Sequence, residues 1–176
     1  MFRTLCTLAG ALLMPFALIS PAQATVPYHA QSTHAVTFNV ASATSGTTIT
    51  CASSTLDGSA TSLPAGPLLT VTGSGWGTCV LGGSGMPGTP VSVSHLGTWS
   101  FGPVTLGGIQ LKIASNSTLV CSFLLTGSAA YAYAPPALTF RPASYSLTIS
   151  SVVGCLGLVT NGEVVGFTGD YQVLAT

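Results

Sequence analysis

Pro90-Val91-Ser92-Val93-Ser94-His95 alternates its side chains in twos. Val91, Val93 and His95 fall on one side of an extended chain and Ser92 and Ser94 on the other, the period of a half-buried strand. The same β-branched and aromatic character marks residues 35–40, 68–72, 109–113, 118–124, 145–150, 163–167 and 171–175. Gly, Pro, Asn and Asp separate these runs and set turns. Asp57-Gly58 and Asn161-Gly162 are the strongest turn dipeptides, since both central residues of a type I′ turn need positive φ. Val159-Thr160 is therefore expected to pair with Glu163-Val164. No amphipathic run of helical period and length is visible after the N-terminus. The expected fold is all-β, a sandwich or barrel of short antiparallel strands.

Charge narrows the function. The 176 residues hold three Lys+Arg, three Asp+Glu and three His, at zero formal net charge and mean hydropathy +0.65. So few cations cannot neutralise a polyanion, so nucleic acid is excluded as a partner. Acids, bases and metal ligands are also too scarce for most catalytic mechanisms, so neither an enzyme nor a cofactor or metal site is expected. Residues 1–24 carry Arg3, an apolar run and Ala22-Gln23-Ala24, the pattern of a cleaved export signal. Beyond it no apolar run reaches the length of a membrane helix. Residues 25–176 are expected to form one domain.

Four cysteines follow the signal: Cys51, Cys79, Cys121 and Cys155. An even number in an exported chain points to two disulfides, and no C-x-x-C knuckle favours zinc. Spacing alone leaves three pairings open. An internal echo favours one of them. Thr50-Cys51, Leu56-Asp57-Gly58-Ser59-Ala60, a Pro-bearing stretch, Leu69-Thr70-Val71-Thr72 and Gly77-Thr78-Cys79 come first. Val120-Cys121, Leu125-Thr126-Gly127-Ser128-Ala129, Pro135-Pro136, Leu147-Thr148-Ile149-Ser150 and Gly154-Cys155 follow in the same order. Two related modules, about 34–81 and 109–176, would each close their own loop, Cys51 to Cys79 and Cys121 to Cys155. The Gly/Pro-rich connection between them, about 82–108, and the overlapping stretch 73–90 are expected to be a flexible surface segment. Gly82-Gly83-Ser84-Gly85 lacks the Lys and helix of a phosphate loop. Trp76 and Trp99, near the ends of this region, are expected in the core.

Chemistry-bearing residues are few. His29 and His34 lie near the mature N-terminus, where order is often poor. A hydrolase would need His95 beside a serine and a carboxylate such as Asp57 or Asp170, and no G-x-S-x-G elbow supports one. Asp57, Glu163 and Asp170 read as solvated turn residues. Asn116-Ser117-Thr118 fits a glycosylation sequon.

The order of a signal peptide, Thr50-Cys51, a Gly-rich approach to Cys79 and the pair Cys121, Cys155 before a β-rich tail resembles the bacterial alkane-oxidation activators. The resemblance implies a secreted, extracellular or outer cell-surface protein of a bacterium that helps it use long-chain hydrocarbons without being the oxygenase. Partners implied are hydrophobic compounds, the cell surface or further copies of the chain. Alternatives are a fimbria-like or biofilm-matrix subunit, with residues 25–40 as a donor strand, a small secreted esterase or lipase, and an eight-stranded outer-membrane barrel.

Overall fold

The computed structural model describes residues 25–175 apart from 42–45, 61–67, 84–85, 116, 118–119 and 141–146. The expected export signal at residues 1–24, Asn116 and Arg141 lie outside the described residues. Eleven strands form one antiparallel sheet: β1 (Val26–Ser32), β2 (Val36–Val40), β3 (Thr48–Ala60), β4 (Leu68–Gly83), β5 (Met86–His95), β6 (Trp99–Phe101), β7 (Thr105–Ser115), β8 (Cys121–Ala134), β9 (Ala137–Phe140), β10 (Leu147–Gly154) and β11 (Val164–Ala175). A single 3-10 turn, Cys155–Gly157, follows β10.

The sheet closes on itself. β1 and β2 both lie between β3 and β11. β5 and β6 both lie between β4 and β7. β9 and β10 both lie between β8 and β11. With β3 on β4 and β7 on β8, the ladder runs once round as eight strand positions in chain order, an up-and-down barrel. The barrel thus resolves the choice against a sandwich. Its strands are not all short: β3, β4 and β8 have 13, 16 and 14 residues. Closure explains their length, because a paired strand has no edge to guard.

Alternation decides which face points inward. Phe38, Ile49, Leu56, Leu111, Ile113, Phe123 and Leu125 are each at most 1% exposed and fill the barrel. Their neighbours Thr37, Thr48, Thr50, Gln110, Lys112 and Thr126 stand on the outer face. This is the reverse of an outer-membrane barrel, which turns apolar side chains to lipid. Filling a barrel of eight positions with side chains matches the width such a barrel encloses.

Both disulfides join the pairs that the internal echo favoured, Cys51 to Cys79 and Cys121 to Cys155. Cys51 and Cys79 are direct partners in the β3–β4 ladder. Cys121 opens β8, and Cys155 follows the last residue of β10, Gly154, which pairs with Cys121. Each bridge therefore ties neighbouring wall positions.

Several expectations are corrected. Residues 82–108 are no flexible connection, since the end of β4, β5, β6 and the start of β7 occupy most of them and complete the wall. Most of 73–90 is likewise strand. Asp57-Gly58 does not turn the chain but sits inside β3 at a bulge against β4. The reason is a close approach: a Cβ on Gly58 would lie 1.9 Å from the Thr70 carbonyl oxygen. Asn161-Gly162 does turn, with Gly162 at φ 89°, yet Val159-Thr160 is outside any strand. Side chains take over there: the Glu163 carboxylate accepts from the Thr160 amide at 2.7 Å, and the Asn161 carbonyl accepts from the Val152 amide at 3.1 Å. His29 is ordered within β1, because β3 and β11 hold that strand from both sides.

Candidate functional site

β4 and β5 part company in mid-wall. Cys79 pairs with Val91 at one end, and Val71 pairs with Trp99 of β6 at the other. Residues 72–78 and 92–98 run alongside between these points without a ladder pair. Ser74 and Trp76 stand opposite Leu56 and Ser54 of β3, both inward-facing and 1% exposed, so they too face the interior. His95 stands opposite Leu111 and turns the same way.

These side chains bridge the seam that the backbone leaves open. The Trp76 indole N–H donates to Ser74 Oγ at 2.8 Å. Ser74 Oγ lies 3.1 Å from His95 Nδ1, and His95 Nε2 lies 2.8 Å from the Gly97 carbonyl oxygen. A carbonyl only accepts, so Nε2 carries the proton. In the neutral ring Nδ1 then accepts from the Ser74 hydroxyl, which satisfies the Trp76 indole N–H, the Ser74 hydroxyl and both ring nitrogens of His95. The imidazole also stacks on Trp99, with centroids 4.4 Å apart, and the Trp99 indole N–H donates to the Leu96 carbonyl.

Behind the seam lies an aromatic interior. Phe38 stacks on Phe167 at 4.9 Å, and Trp76 packs on Phe38 at 5.4 Å. Both tryptophans join the core as expected, Trp99 fully and Trp76 in part. The free space enclosed by Phe38, Trp76, Trp99, Ile109, Leu111 and Phe167 is about 10 Å³. That is scarcely room for one water molecule.

The structure brings His95 to a serine, Ser74, but gives it no carboxylate: both ring nitrogens have neutral partners. Asp57 is instead the ladder partner of His29 and takes its Nδ1 at 2.6 Å on the outer face. That pair is solvent-exposed and worth little. Asp170 and His34 border an open outer groove of about 410 Å³ with Thr33, Pro136, Thr139 and Gln172. Among the described residues, no group of three or more His, Cys, Asp or Glu could hold a metal. No helix among them is long and apolar enough to cross a membrane.

Two buried tyrosines make a second polar feature of the interior. Tyr171 donates its hydroxyl to Ser54 Oγ at 3.0 Å. The Tyr28 hydroxyl is buried with no hydrogen-bond partner. Burial pushes both phenols well above the usual tyrosine range, Asp57 adding to the rise at Tyr28 and the Ser54 hydrogen bond opposing it at Tyr171. The importance of Ser74 was hidden in the sequence, because it sits in a Gly-rich run that reads as a loop. Its one signal was Gly73-Ser74-Gly75-Trp76-Gly77, where small and bulky residues alternate in twos. Comparison of the chain with protein-family models, curated proteins and solved structures returns no match.

Proposed function

We propose that this chain is an exported, non-catalytic binding protein for small hydrophobic compounds at a bacterial surface, the role implied by its resemblance to the alkane-oxidation activators. The observation that carries the reading is the aromatic interior behind a stretch of wall held by side chains rather than by a ladder. Closed apolar barrels of this width hold either their own side chains or one small ligand. Two disulfides suit an oxidising compartment, and a polar outer face keeps such a carrier in water. Titrating the purified protein with octane and 1-octanol, read by tryptophan fluorescence and two-dimensional NMR, tests it. Saturable 1:1 binding with shifts at Trp76, Trp99 and Phe167 is expected. Absence of binding by both compounds would remove the reading.

Self-association is a second reading, favoured by Val120, Val153 and Leu156, which are 72%, 58% and 80% exposed. The Cys155 amide donates to the Val120 carbonyl, gathering the three around the second disulfide. Leu156→Ser is then expected to lower the sedimentation coefficient of the native protein, and an unchanged monomer in both forms would dismiss it. The donor-strand version fares worse, because residues 26–32 and 36–40 already pair within their own barrel.

A further inference from the structure

We infer that the compound taken up is an aliphatic chain bearing one neutral hydroxyl, and that its hydroxyl takes the place of the Trp76 indole N–H on Ser74. This deepens the binding reading above and rests on it. The space behind the seam is already filled, so a side chain must leave before a ligand enters there. Trp76 is the side chain free to go. It is only partly buried, whereas Phe38, Ile109, Leu111 and Trp99 are at most 2% exposed. It also stands on the edge of β4 that faces no ladder partner, between Gly75 and Gly77.

Swinging Trp76 outward has a chemical consequence. Ser74 Oγ loses the donor it holds at 2.8 Å while its own hydroxyl still donates to His95 Nδ1. A plain hydrocarbon filling the vacated space would leave that oxygen desolvated and without a donor, which costs more than the hydrogen bond was worth. A terminal hydroxyl restores the donor. An ionised carboxylate brings no proton for the Ser74 oxygen to accept, and Lys112 and the Asp57–His29 pair stand on the outer face. Leu111, Ile109 and Phe38 then line the space with apolar surface suited to a methylene chain.

The test compares 1-octanol, octane and octanoate on the wild-type protein, by the same fluorescence and NMR titration. 1-Octanol is expected to bind about tenfold more tightly than octane, and octanoate more weakly than 1-octanol. Ser74→Ala should bring 1-octanol and octane within about twofold of each other. Trp76→Phe is the companion variant should Ser74→Ala not fold. Its Ser74 oxygen already lacks the indole donor before any ligand enters, so 1-octanol and octane should both tighten by about fivefold and the preference for 1-octanol should persist. Equal binding of 1-octanol and octane by the wild type, a preference that survives Ser74→Ala, or no tightening in Trp76→Phe would overturn this inference while leaving a binding barrel in place. Failure of all three compounds to bind would overturn the binding reading as well.

Discussion

The two edges of β4 are built by different means. Toward β3 it is paired along nearly its whole length, from Gly82 opposite Thr48 to Leu68 opposite Ala60, and clipped by Cys51–Cys79. Toward β5 and β6 it is paired only at its ends, and Trp76, Ser74 and His95 hold the middle. One run, Gly73-Ser74-Gly75-Trp76-Gly77, serves both. Its glycines point outward and let β3 approach: a Cβ on Gly77 would lie 2.4 Å from Ser53 Oγ, and one on Gly75 2.7 Å from Thr55 Oγ1. Its larger residues point inward and reach across the seam. A strand can thus be rigid on one side and openable on the other, because ladder bonds belong to the backbone and the seam contacts to side chains that can rotate.

Removing the clip from the rigid edge, as Cys51→Ala with Cys79→Ala, should have the largest effect, a loss of about 2–5 kcal/mol in denaturant unfolding. If the edges are as unlike as the structure makes them, amides of β3 should lose hydrogen-exchange protection with it. Gly58→Ala attacks the same edge at its bulge and should cost about 3 kcal/mol, since backbone must move to admit the Cβ. A cost under 1 kcal/mol would mean the β3–β4 approach is softer than drawn.

The tyrosines sharpen the contrast next. Their raised phenols disfavour ionisation in the fold, while unfolded tyrosine ionises near pH 10. Stability is therefore untouched by these groups below that pH and falls above it, by about 1.4 kcal/mol per pH unit for each tyrosine until the folded group also ionises. Urea midpoints between pH 8 and 11.5 measure this, and Tyr28→Phe with Tyr171→Phe should flatten the alkaline decline. On the open edge, Ser74→Ala and His95→Ala should each cost only about 1 kcal/mol and be strongly non-additive, as members of one hydrogen-bonded chain. The smallest change expected is a gain: Tyr28→Phe at pH 7 removes an unpartnered buried hydroxyl, stabilising by about 1 kcal/mol.

The fold class was legible because inward and outward residues alternate clearly in segments such as 91–95 and 109–113. Both disulfides were legible because the internal echo follows two stretches of wall, β3 with β4 and β8 with β10. The barrel's strands were underestimated where glycine was read as punctuation. In β4 the glycines mark close approach to β3, and at Gly58 a bulge, neither of which a single sequence distinguishes from a turn. The seam was illegible for another reason. That Ser74 meets His95 depends on which backbone pairs fail to form, a property of tertiary register and not of local composition.

Tyr28 to Ser32 pairs with Tyr171 to Ala175, so the circle is joined by the first and the last of the described strands. More than 130 residues separate these partners in the sequence, and pairings between such distant positions form slowly. Until they form, the greasy inner surface is uncovered and prone to sticking.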